Sequence, residues 1–75
     1  MERYKNLNKN SGISFFEIHD ESIIIQFKNQ STYLYNNSIT GSEHVEKMKE
    51  LARTGSGLAT YISKYVKNNY ASRLK

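Results

Sequence analysis

The run from Ile23 to Tyr35, Ile-Ile-Ile-Gln-Phe-Lys-Asn-Gln-Ser-Thr-Tyr-Leu-Tyr, limits the possible folds more than any other stretch. β-Branched and aromatic residues fill two arms, with four polar residues between them, the pattern of a β-hairpin. In the first arm Ile23, Ile25 and Phe27 alternate with Ile24 and Gln26, so the face with three apolar side chains is the expected core face. The parity of the connecting loop decides where Tyr33 and Tyr35 point. A two- or four-residue loop turns both rings away from the core. A three-residue loop, Lys28-Asn29-Gln30, sets Ile25 opposite Tyr33 and brings both rings to the core face. The odd loop is favoured because it needs a left-handed residue only at Gln30, whereas a two-residue primed turn needs positive φ at both Asn29 and Gln30. It also sets Ile24 opposite Leu34 on the outer face, a small apolar patch suited to a dimer contact.

Upstream, residues 13–18 read as a strand with Ile13 and Phe15 on one face and Phe16 and Ile18 on the other, and His19-Asp20-Glu21 turns it into the hairpin. Downstream, the apolar period changes from two to 3.6 near Thr40. Ser42 is the expected N-cap of a first helix in which Val45, Met48 and Ala52 recur at helical spacing, Glu43 pairs with Lys47, and Gly55 supplies the left-handed C-terminal residue. Ser56 is the expected N-cap of a second helix, whose stripe is Leu58, Ile62, Tyr65, Val66 and Asn69. The expectation is an α+β fold: a three-stranded antiparallel β-meander (13–18, 22–28, 32–36) with two C-terminal helices (43–53 and 57–71) packed on one face.

Seventy-five residues allow one domain with a thin core, and the absence of cysteine removes disulfides and thiolate metal sites as reinforcement. Oligomerisation remains available for that purpose. Residues 1–12 read as a basic N-terminal arm in which Tyr4 and Leu7 dock while the bases stay solvated, and residues 13–75 as the domain. No apolar run approaches the roughly 20 residues of a membrane span, and no signal peptide is recognised, so a cytoplasmic location without membrane association is expected. The net charge of +4 is uneven: residues 54–75 hold Lys64, Lys67, Arg73 and Lys75 with no acid, whereas residues 11–42 hold one base against three acids. A one-sided basic segment attracts polyanions.

The hairpin and second helix together resemble the KTSC domain, a module found alone in small bacterial and phage proteins and at the C-terminus of some lysyl-tRNA synthetases. The family's Tyr-x-Tyr after a β-hairpin is matched by Tyr33-Leu34-Tyr35. Its helical pattern, Tyr-Phe-Asn-x-x-Ile-Arg-x-x-Tyr, is matched by Tyr61-Ile62-Ser63-Lys64-Tyr65-Val66-Lys67-Asn68-Asn69-Tyr70. Gln30 stands where the family has a turn glycine, Ser63 where it has asparagine, and Lys67 where it has arginine. The resemblance, over residues 12–70, implies the α+β fold and, through the synthetase context, RNA binding.

Candidate sites follow from residue chemistry. Backbone amides at Gly55-Ser56-Gly57, opening a helix beside Arg53, can cradle a phosphate. Lys64 and Lys67 are phosphate contacts one turn apart, with Arg73, Arg3 and Lys5 as reinforcements. Tyr33, Tyr35 and Tyr61 are candidates for stacking on bases. His19-Asp20-Glu21 and His44 with Glu43 or Glu46 offer acids and bases, but no metal-ligand spacing or nucleophile motif accompanies them, so neither enzymatic activity, cofactor nor metal is expected. The expected function is a non-enzymatic binding module for phosphate-bearing ligands, RNA or single-stranded nucleic acid. The alternatives are an oligomeric binder that sequesters a small nucleotide signal, as in phage counter-defence, and a dimerising protein-interaction module.

Overall fold

A computed structural model of the protein describes residues 1–7 and 11–75. The Ile23–Tyr35 run folds as the hairpin of strands β3 (Ser22–Phe27) and β4 (Thr32–Asn36), with Ile25 opposite Tyr33 and Ile24 opposite Leu34. The odd loop is formed: the Phe27 amide donates to the Ser31 carbonyl at 2.8 Å, and Gln30 takes φ 73° at the third loop position. Tyr35 joins the core, and Tyr33 is half-buried on the same face.

Strand β2 (Ile13–His19) pairs with β3 on the other side, and two-residue strands extend the sheet at each edge, β1 (Glu2–Arg3) on β2 and β5 (Ser72–Arg73) on β4. All neighbours are antiparallel, in the order β1-β2-β3-β4-β5. Among the described residues the sheet therefore has five strands rather than the three expected. The segment read as an arm supplies the first of them. Tyr4 is 3% exposed and belongs to the core, while Leu7 stays in solvent. The rest of that arm, residues 8–10, lies outside the described residues.

Expectation and structure part within β2. Ile13 and Phe16 are buried, whereas Phe15 is exposed. Ile13 pairs with Phe27 but Phe15 with Gln26, so Ser14 is an extra residue that changes the phase of alternation. The Ser14 carbonyl accepts from the Tyr4 amide at 2.9 Å, so the N-terminal segment satisfies the group the bulge exposes.

Helix α1 (Ser42–Thr54) packs on β3 and β4 through Val45, Met48 and Ala52. Its N-cap is Gly41 rather than Ser42, without a side-chain bond, and Gly55 closes it in the left-handed conformation with its amide on the Leu51 carbonyl. The helix uses i,i+3 pairs in place of the expected Glu43–Lys47 pair: Lys47 with Glu50 and Lys49 with Glu46. Lys49 is buried, and its ammonium also donates to the Asp20 carbonyl at 2.8 Å, tying α1 to the β2–β3 turn.

Helix α2 (Leu58–Tyr61) starts from Gly57, φ 83°, not from Ser56, and continues as a π-helical segment, Ile62–Val66. Leu58, Ile62 and Val66 are buried, but Tyr65 is 61% exposed, because the wider π turn rotates it off the stripe. The Lys67 amide bonds to the Ile62 carbonyl, and Lys67 itself adopts φ 53°, ψ −123°, which stops the helix well short of residue 71. The chain then runs back along β4 as β5, held by the Ala71 amide on the Leu34 carbonyl.

Candidate functional site

Antiparallel registers sort the charges. The β2–β3 turn end of the sheet carries Asp20 and Glu21, with Glu17 close by on β2. The opposite end gathers Lys28 after β3, Arg73 beside Tyr33 on β5, and Lys5, which follows Arg3 off β1. At that basic end two clefts, of 440 and 240 Å³, share Phe27 and Tyr33 as common walls. The larger is bounded by Gly12, Lys28, Asn29 and Ser31, the smaller by Tyr35, Ile62, Lys67 and Tyr70. Among the described residues, no aspartate or glutamate lines either.

An aromatic cluster forms the floor. The Tyr33 ring meets Phe27 edge-on at 5.8 Å, Tyr70 at 4.6 Å and Tyr35 at 6.5 Å between centroids. The sequence builds this locally. The three-residue loop turns Tyr33 and Tyr35 to the side of Phe27, and the helix break at Lys67 swings Tyr70 down onto them. The Arg73 guanidinium lies 5.6 Å from the Tyr33 centroid, in cation–π range. Burial, helped by the neighbouring Tyr33 and Tyr70 hydroxyls, pushes the Tyr35 phenol up to about 12. It therefore stays a neutral hydrogen-bonding group at ordinary pH. A surface of flat rings bordered by cations suits a ligand that is itself flat and anionic.

Of the residues singled out by sequence, Tyr33, Tyr35, Lys67 and Arg73 are brought together here. The others are dispersed. Lys64 and Arg53 are exposed and line none of these clefts. Tyr61 packs against Tyr65 with the rings tilted and their centroids 4.9 Å apart, and bonds His44 Nδ1 through its hydroxyl at 2.7 Å; burial, with Tyr65 and Glu43 nearby, raises its pKa. His44 thus faces a phenol rather than Glu43 or Glu46, and His19 pairs with Glu17 at 2.6 Å. Gly55, Ser56 and Gly57 line a separate 80 Å³ cavity, where the Leu58 amide donates to the Tyr4 hydroxyl at 3.3 Å. Of the three amides expected to hold a phosphate, that of Gly55 is taken by the Leu51 carbonyl at 2.9 Å. Arg3 and Lys5 border another cleft, of 420 Å³.

Phe27, Lys28 and Tyr70 were not singled out. Phe27 read as core and Lys28 as loop, although Lys28 is the single base in residues 11–42. That isolation, next to an aromatic residue at the loop end of the hairpin, was the available signal.

Among the described residues no helix is long and apolar enough to cross a membrane. No family model, curated protein or solved structure matches the chain.

Proposed function

We propose that the protein is a non-enzymatic binding module for single-stranded nucleic acid, engaged through the aromatic groove. The observation that carries this reading is the pairing of Phe27 and Tyr33, half-buried and lining two neighbouring clefts, with Lys28, Lys67 and Arg73 around them. A base stacks on the rings, and the cations take the phosphates on either side. Stacking tolerates any base and phosphate contacts carry no sequence information, so binding is broad in sequence and sensitive to salt. RNA binding also accords with the resemblance to the KTSC domain, supported by the order and spacing of Tyr33-Leu34-Tyr35 and the Tyr61–Tyr70 pattern.

Titration of labelled single-stranded RNA by anisotropy at two salt concentrations tests the reading. Tyr33→Ala is expected to weaken binding by about 1–3 kcal/mol, the cost of one lost stack. Lys67→Ala should weaken it evenly across sequences and flatten the salt dependence. Affinity for RNA and mononucleotides weaker than about 1 mM, some 4 kcal/mol of binding, would leave the groove without this role.

A further inference from the structure

The 420 Å³ cleft bordered by Arg3, Lys5 and Lys28 has an aromatic wall of its own, Phe15, which the Ser14 bulge leaves 38% exposed. It shares Lys28 with the aromatic groove. The Lys28 amide donates to the Gly12 carbonyl at 2.7 Å, which fixes Lys28 between the two concavities. Gly12 is exposed, and among the described residues a side chain added there would meet nothing within 4 Å. Among the described residues no acid lines this cleft. The nearest acids along the chain are Glu2, on the strand face opposite Arg3, and Glu17, which is engaged by the N-terminal ammonium and His19.

We infer that the two concavities form one track, and that the ligand is an oligonucleotide which rounds the end of the sheet at Gly12 and Lys28. The inference rests on the single-strand reading of the aromatic groove and deepens it. One nucleotide stacks on Phe27 and Tyr33. The backbone passes Lys28, and a further nucleotide reaches Phe15 with its phosphates on Arg3 and Lys5. The bulge acquires a purpose on this view. With strict alternation Phe15 would share the face of Ile13 and lie under the core, away from the second cleft.

The test is calorimetry and anisotropy with uridine monophosphate and a length series of oligouridylates and oligodeoxyuridylates. Affinity should climb with length to about four nucleotides, the lower end of single-strand site sizes, and then level off. The double variant Arg3→Ala/Lys5→Ala should bind the tetramer about tenfold more weakly and lower its salt slope by about 1.4, near 0.7 per phosphate for single strands. Its binding of the mononucleotide should not change. Phe15→Ser provides an independent readout, with the same selective loss for the oligomer. Preference for one series over the other assigns the sugar and supports the track equally. Affinity that does not grow beyond one nucleotide, or oligomer binding unchanged in both variants, would overturn the track while leaving the groove. Absence of binding by mononucleotide and oligomer alike would overturn both.

Discussion

The guanidinium of Arg73 lies 5.6 Å from the centre of the Tyr33 ring, although the two residues are far apart in sequence and β5 is only two residues long. A cation already resting on a stacking ring either yields that face to a base or stays and meets the flanking phosphate. Arg73→Ala separates these outcomes. If Arg73 serves as a phosphate contact, binding weakens and the salt slope falls by about 0.7. If it only covers the ring, binding strengthens. The fold should lose no more than about 1 kcal/mol, as for an exposed cation–π pair.

Ile25 and Ile62 sit at opposite sides of the core, at 0% and 7% exposure. Replacing either with alanine should destabilise the protein by about 2–4 kcal/mol, because neighbouring strands and helices cannot close over the void. Urea denaturation measures both. Ile24→Ala, on the face no helix covers, should cost distinctly less.

Gln30 holds φ 73° at the last position of the hairpin loop. A left-handed conformation costs a residue with a side chain about 1–2 kcal/mol, so Gln30→Gly should recover part of that and raise the denaturation midpoint. Asn29→Gly at the neighbouring position, where φ is not positive, should bring no gain.

At Gly55 a Cβ would stand 2.5 Å from Cβ of Lys5, and φ is 84°. Gly55→Ala therefore combines backbone strain with a clash against the N-terminal segment. A loss of more than about 1 kcal/mol is expected, together with faster amide exchange at Tyr4 and Leu7. The Leu7 amide donates to the Gly55 carbonyl at 2.7 Å and reports the separation directly.

The Tyr35 phenol, raised from 10.0 to about 12, binds its proton more tightly folded than unfolded. Its contribution to stability is therefore complete below pH 10 and lost as pH rises through 12. Denaturation midpoints should fall across that window, and Tyr35→Phe should flatten the fall. Phenolate absorbance during titration shows whether Tyr35 ionises only with unfolding.

The three central strands and the first helix were legible because alternation, helical period and Gly55 are local signals. The register of the hairpin was legible too, since the alternative turn would need two left-handed residues instead of one. The Ser14 bulge was not, because the group that satisfies it is the Tyr4 amide, in a segment with no period of its own. β5 was hidden for a related reason: two residues joined by backbone bonds need no side-chain pattern. The π turn at Ile62–Val66 left Leu58, Ile62 and Val66 in phase and displaced Tyr65, a change that propensity does not encode. In the groove, Tyr33, Tyr35, Lys67 and Arg73 stood out by type, whereas Phe27 could not be told from core until the sheet's end was seen to be open.

The bond between the Tyr4 hydroxyl and the Leu58 amide spans 54 positions, so the segment around Tyr4 is among the last to find its place. The central hairpin and α1 can assemble during synthesis from near neighbours. β1 must wait until the turn after α1 has emerged, and β5 until Ser72 and Arg73 have followed. Closure of such long loops slows folding more than it alters final stability. The β4 edge stays open through that interval, and another chain can pair with it before β5 arrives. Folding therefore competes with pairing between chains, and lowering the temperature or the concentration of unfolded chains should favour the closing of the sheet by β1 and β5.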